Sequence, residues 1–307
     1  MKRYIYLALS LVALTACSLD KDPISEFNEK NTTAEGKSSS AIETKAQMQT
    51  RYEAIYAFVR GSAQEFWTLD FLQNTETRAD NAYAGTSGVA ITSIEQNSQD
   101  ASNGNIKRDW QKYLEGINLA NVVIANVDKV PDASLTTTER KQWKAEAKIL
   151  KAWLLFDMVR FWGAVPIPPI EVPEISSENV EETYKLLFPE RTSVAEVYNI
   201  IRTNLEEALV DAPAVKANDK FFFSRAVANA LLAHVYAEKP IRDYNKTIQY
   251  CTAVEADGFS LLPNYADLFQ INDAKTDVKV RNSAESIFEI TYSQGGQTWL
   301  PGLFGLN

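Results

Sequence analysis

The sequence predicts a mainly α protein: a repeat-like array of paired helices with long irregular loops and little strand. Apolar residues recur at three- and four-residue intervals in successive stretches from Met48 to Val254. Glycine or proline closes most of these stretches, and only Ser286 to Tyr292 alternates as a strand does. The chain can fill such an array, since 45% of its residues are hydrophobic and it holds 14 Phe, 13 Tyr and 6 Trp.

Lys2 and Arg3 precede an apolar run from Tyr4 to Leu14, and small residues then lead to Cys17. This is the form of an export signal, and it falls short of the about 20 residues that a permanent membrane helix needs. Leu14-Thr15-Ala16-Cys17 resembles a bacterial lipoprotein box. That resemblance implies that residues 1–16 are removed and that Cys17 is lipidated, whereas the alternative is an ordinary secretory signal with an incidental Cys. Ser18-Leu19-Asp20-Lys21-Asp22 resembles the acidic signal that sends lipoproteins of Bacteroidetes-like bacteria to the cell surface. Residues 17–40 are polar, with Pro23 and Gly36 as punctuation, and read as a solvated tether ahead of a helical domain over 41–307.

Loss of residues 1–16 removes two basic side chains and takes the net charge from −9 to about −11. An acidic chain repels phosphate, so nucleic acid is excluded as a partner. With Cys17 lipidated, Cys251 has no partner within the chain, and stability must come from packing.

Met48, Tyr52, Ile55, Tyr56 and Val59 mark the first helix, closed by Gly61, and Phe66, Leu69 and Leu72 a second, shorter one. Thr75 to Asn105 is rich in Asn, Ser, Thr and Gly and reads as one long loop, of the kind that is functional or mobile. Trp110, Tyr113, Leu114, Ile117, Ile124 and Val127 return to helical spacing, their aromatics as core, and Pro131 stops them. Thr136 and Glu139 form a possible capping box for the next helix. Ile149, Ala152, Trp153, Phe156 and Val159 share one face of it, Gly163 can supply the reversed conformation that ends it, and Pro166, Pro168 and Pro169 forbid its resumption.

Glu171 to Arg191 is acidic and reads as a surface loop, its Glu181-Glu182 pair a solvated face. Glycoside hydrolysis needs two carboxylates on opposite sides of a bond, not sequence neighbours. Ser193 and Glu196 suggest a second capping box, for a helix with Val197, Ile201 and Leu205 inside and Pro213 at its end. Ser224 caps a helix carrying Val227, Leu231, Leu232 and Val235; a break at Lys239-Pro240 leads to a last helix that buries Ile248, Cys251 and Val254 and stops at Gly258. The two form a hairpin resembling a tetratricopeptide repeat. His234, the single histidine, falls in a helical stripe where packing is the default, and no metal, nucleotide or nucleophile motif is present, so neither cofactor nor metal is expected.

The run EAKILKAWLLFDMVRFWGAVPIP, from Glu146 to Pro168, resembles the signature helix of the RagB/SusD family of outer-membrane lipoproteins through Glu146, Ala147, Ala152, Phe156, Asp157, Arg160, Gly163, Val165 and Pro166. Trp110 to Asn121 and the stretch from SRAVANALLAHVYAEK to GFSLLPNYADLF extend the likeness. The resemblance implies a tetratricopeptide-like array and a non-catalytic lipoprotein in the outer membrane. Such a protein captures oligosaccharide or polysaccharide and passes it to a SusC-like TonB-dependent transporter. It also implies that the signature helix marks the family without touching ligand, and that the early loop supplies part of the sugar-binding surface. Arg78, Asp80, Asn81 and Tyr83 there, with Trp67 upstream, offer the polar groups and aromatic faces that a neutral glycan needs. The alternative for these residues is that Trp67 and Tyr83 pack in the core while Asp80 and Asn81 cap a turn. Two other functions remain open: a helical scaffold for the transporter without a ligand of its own, and a lipid-anchored glycan hydrolase. Family members continue well beyond a strand like Glu285 to Ile290, so a truncated form is expected.

Overall fold

A computed structural model describes residues 41–62, 65–173, 175–274 and 278–290 of the 307-residue chain. The leader at 1–16 and the tether at 17–40 lie outside the described residues. Every element below belongs to the unit that starts at Thr44.

Helix α1 spans Lys45–Ser62 and is followed by two π-helical turns, Glu65–Asp70 and Gln73–Thr77. Helix α2, Val89–Glu95, and helix α3, Gly104–Asn126, come next. The stretch expected as one loop from Thr75 to Asn105 is therefore broken by a short helix. Seven residues carry too little period to announce it, but Ile94 is fully buried, and Asn103 donates to Ala90 O at 2.8 Å while accepting from the amides of Asn105 and Ile106. One asparagine thus caps α3 and ties α2 to it.

Helix α4, Thr137–Trp162, begins with the expected capping box between Thr136 and Glu139. Arg140 fixes the preceding turn by donating to the carbonyls of Leu135, Val127 and Asp132. The helix is buried nearly all round: Ile149, Leu150, Ala152, Leu154, Leu155 and Met158 have no exposed surface. It packs against α3 and against α6, Val194–Asp211. Gly163 ends α4 at φ 68°, a conformation that costs a residue with a Cβ far more. The released chain forms β1, Val165–Pro166, antiparallel to β2, Arg191–Thr192, with Pro166 opposite Arg191.

Between the strands lies α5, Val180–Leu187, where a surface loop was expected. Its first turn carries Glu181 and Glu182, which favour a helix N-terminus. For α6, Ser193 accepts from the Glu196 amide at 3.4 Å, which is half of the predicted box. Helix α7, Arg225–Ala237, starts after Ser224, whose hydroxyl is buried without a hydrogen bond instead of capping the helix. A 3-10 turn at Lys239–Ile241 leads to α8, Tyr244–Ala256, which packs on α7 and completes the predicted hairpin. The buried face of α8 differs from the prediction: Tyr250 is buried, stacked on Tyr236, while Ile248 and Cys251 are exposed. After a 3-10 turn at Tyr265–Phe269, residues 286–290 form no strand. Their backbone is claimed by Lys220, whose ammonium donates to Ser286 O at 2.6 Å and whose carbonyl accepts from the Glu289 amide at 3.1 Å. Residues 291 and 292 of the expected strand lie outside the described residues.

Candidate functional site

Two cavities open on the surface near α3 and the exit of α4, and their linings differ in chemistry. The first, about 590 Å³, runs along the outer side of α3 beside the proline-rich exit, lined by Leu114, Asn118, Asn121, Val122, Pro168, Pro169 and Leu187 among others. No aromatic side chain lines it, and its Lys129 is paired with Glu171 at 2.5 Å. The second, about 620 Å³, is walled by Trp110 from α3 and by Phe161 and Trp162 from the last turn of α4. Half-buried Asn74, Gln99 and Ile106 and exposed Arg78, Asp100, Lys107 and Arg191 also line it.

Local structure explains how these groups meet. Trp110 and Trp162 are far apart in sequence, but α3 packs along α4, and their rings meet edge to face with 5.3 Å between centroids and 88° between planes. Phe161 stands 5.6 Å from Trp162. The turn at Gly163 and the pairing of β1 with β2 return Arg191 to the end of α4, where it donates to Ala164 O at 2.7 Å. Arg78 follows the second π-helical turn and is held by Asn97 Oδ1 at 3.0 Å from its Nε. The Asn74 amide donates to Asp70 O at 2.9 Å and to Asp109 Oδ2 at 3.1 Å, which fixes its orientation in the cavity lining. Gln99 Oε1 is buried without a hydrogen-bond partner among the described residues.

Buried acids lie behind this wall. Asp109 neighbours Trp110 in α3; burial pushes its carboxyl well up, the nearby Asp70 adds to the rise, and Arg108 and Asn74 oppose it. Arg108 in turn donates to Asp70 at 2.5 Å. Asp157 on α4 is raised to about 6 by burial, against the pull of Arg160, which donates to it, and of the Trp67 indole and Tyr113 phenol. Apolar faces, amides and cations around an open cavity suit a hydroxylated, partly apolar ligand such as a sugar chain. Among the described residues no group of three or more His, Cys, Asp or Glu could hold a metal ion.

The residues expected from sequence separate. Arg78 lines the second cavity. Asp80, Asn81 and Tyr83 follow it on the exposed turn, with Tyr83 79% exposed, Asp80 at φ 62° and the Asn81 amide donating to Glu76 at 2.9 Å. Trp67 stands elsewhere: its ring is stacked on Trp153 and flanked by Phe58 and Phe66. The cavity's aromatic wall comes instead from Trp110, taken as core, and from the end of the signature helix, which was expected to touch no ligand. Only the pair Phe161-Trp162 beside the helix stop at Gly163 hinted at it in the sequence.

Comparison with known proteins places this architecture. The SusD-like family described as starch-binding, associating with outer membrane, matches residues 28–237. Residues 1–18, which include Cys17, match the prokaryotic membrane lipoprotein lipid attachment site. A SusD-like protein from Bacteroides ovatus is 25% identical over an alignment of 203 residues that covers 63% of this chain and 34% of that one. A laminarin binding SusD-like protein superposes with a TM-score of 0.59 at 20% identity, covering 77% of this chain and 50% of that chain. A crystal structure with xylogluco-oligosaccharide gives a TM-score of 0.56 at 23% identity, over 80% of this chain and 47% of that chain. The chain thus spans between a third and a half of the length of these relatives.

Proposed function

We propose a function that starts from descent: the chain belongs to the SusD-like family, starch-binding and associating with outer membrane, and acts as a cell-surface lipoprotein that captures oligosaccharides. Cys17 carries the lipid, and the captured glycan passes to a SusC-like TonB-dependent transporter with no bond made or broken. Among its structural neighbours one is named for laminarin binding and another holds a xylogluco-oligosaccharide, which supports a glycan as cargo.

The observation that carries the reading is the wall of Trp110, Phe161 and Trp162 beside Asn74, Gln99 and Arg78. Aromatic rings accept the apolar faces of pyranoses, and amide and guanidinium groups hydrogen-bond to hydroxyls. Asp80, Asn81 and Tyr83, within five residues of Arg78, serve the outer part of a longer glycan; Trp67 supports the wall from within through Phe66 and Tyr113, whose ring meets Phe161 and Trp162. Titration of the protein lacking residues 1–17 with a panel of oligosaccharides tests this. Trp110→Ala and Trp162→Ala should each weaken binding by about 1 to 3 kcal/mol. Absence of binding across the panel, or affinity indifferent to both substitutions, would overturn it.

A second reading, a partner scaffold without its own ligand, draws on one observation. Tyr184 on α5 and Phe188 at its C-terminal end pair at 4.7 Å while each remains more than 60% exposed. Capture of the transporter together with absent glycan binding would favour it.

A further inference from the structure

The charge around the second cavity runs against the charge of the chain. The protein is acidic, with a net charge of −9, yet the cavity is lined by Arg78, Lys107 and Arg191 against a single carboxylate, Asp100. Elsewhere cations are commonly matched: Lys45 pairs with Glu139, Lys144 with Asp128, Lys148 with Glu207, Arg202 with Glu206 and Lys279 with Asp267. None of the three cavity cations is in an ion pair among the described residues. Asp100, whose Oδ1 accepts from the Ser102 amide at 2.8 Å and from its hydroxyl at 2.6 Å, offsets only one of the three positive charges.

The cations are positioned with donors to spare. Among the described residues Arg78 uses only Nε, toward Asn97, and Arg191 only Nη1, toward Ala164 O, so each guanidinium is oriented with further N–H groups that no described residue engages. A planar guanidinium matches a carboxylate or a sulfate through two parallel hydrogen bonds. The other cavity lacks this feature, since its Lys129 is already paired with Glu171.

We propose that the cavity walled by Trp110 and Trp162 takes an anionic oligosaccharide, one bearing carboxylate or sulfate groups, with its sugar faces on the rings and its anions on Arg78, Lys107 and Arg191. This rests on the glycan-capture reading above and narrows it from neutral to acidic chains. A uronic acid and a sulfate ester present the same chemistry to a guanidinium, and the experiment separates them.

The mature chain is titrated with three tetrasaccharides: a neutral laminari-oligosaccharide, an oligogalacturonate and a sulfated galactan fragment. At low salt at least one anionic chain binds about tenfold more tightly than the neutral one, and the preference shrinks as salt is raised. Arg78→Gln, Lys107→Gln and Arg191→Gln, three exposed positions, each cut the anionic-to-neutral preference about three- to tenfold. Which anionic arm wins identifies the charged group. Neutral binding as tight as both anionic arms, or a preference insensitive to salt and to all three substitutions, overturns the inference and leaves glycan capture standing. Failure of every arm overturns both.

Discussion

Trp67 and Trp153 lie face to face, 4.6 Å between ring centroids and 10° between planes. The stack joins the π-helical turn after α1 to the middle of α4, and Trp153 also meets Phe223 and Phe288 edge on. One face of Trp67 is therefore taken by protein. Trp67→Ala removes a partly buried ring from this cluster and should cost about 2 to 4 kcal/mol of stability, somewhat below a fully buried Trp truncation. Urea denaturation measures it. Loss of glycan affinity at unchanged stability would instead assign the ring to sugar.

Close approach of helices gives a second prediction. A Cβ at Gly116 of α3 would fall 2.6 Å from Leu154 Cδ1 of α4 and 2.6 Å from Phe58 Cε1 of α1. Three helices meet there, and two large side chains occupy the space an alanine methyl needs. Gly116→Ala should destabilise by about 1 to 3 kcal/mol although alanine favours the helix. A variant as stable as the parent would mean that Leu154 and Phe58 repack freely.

How much of this was readable follows from how local each signal is. The helices around Ile149, Ile201 and Leu232 repeat their apolar residues over several turns, and Gly163 with its prolines marks a stop that any sequence reader can find. Helix α2 has too few residues for a period, and α5 has its apolar residues largely exposed, so both passed for loop. The strand expected at 286–292 alternates correctly, but Phe288 stacks on Phe223 at 5.1 Å and Lys220 takes the neighbouring backbone, a competition invisible without the fold. The cavity fails for the same reason: Trp110, Trp162 and Arg191 belong to three elements, and only the packing of α4 brings them together.

Stability should fall as pH rises through the weakly acidic range. Burial raises the Glu146 carboxyl to about 7 and the Asp157 carboxyl to about 6, and it pushes Asp109 upward as well. Each native acid holds its proton at pH values where the unfolded chain has released it, so their contribution is full below the ordinary carboxylate range; that of Asp157 and Glu146 is lost as pH rises to about 7, and that of Asp109 is lost in the same direction. Asp132 and Glu139, lowered to about 2 chiefly by hydrogen bonds from Lys45, act oppositely: their contribution fades as pH falls from the ordinary range toward 2. Lys151, held down to about 8 by burial, adds a rise with pH only from there upward. Urea midpoints should accordingly be higher at pH 5 than at pH 7.5, and Glu146→Gln should flatten the difference. A midpoint that rises between those two pH values would contradict the assignment.

The last prediction concerns the buried phenol that joins three parts of the array. Tyr56 on α1 donates to Glu146 on α4 and accepts the Phe223 amide at 3.0 Å, so one hydroxyl serves a carboxylate and a backbone N–H that water does not reach. Tyr52 donates to the same carboxylate oxygen at 2.7 Å. Tyr56→Phe keeps the ring and its contacts with Phe221 and Phe223 but strips both hydrogen bonds. Leaving a buried amide and a carboxylate short of partners should cost about 1 to 3 kcal/mol, whereas Tyr52→Phe, at a less buried position with the Tyr56 bond to Glu146 intact, should cost less. Titration of Glu146 in the Tyr56→Phe protein should also move upward, because a hydrogen bond that favours its charged form is gone. Equal losses for the two tyrosines would mean that the additional bond from the Phe223 amide to the Tyr56 hydroxyl carries no energetic weight.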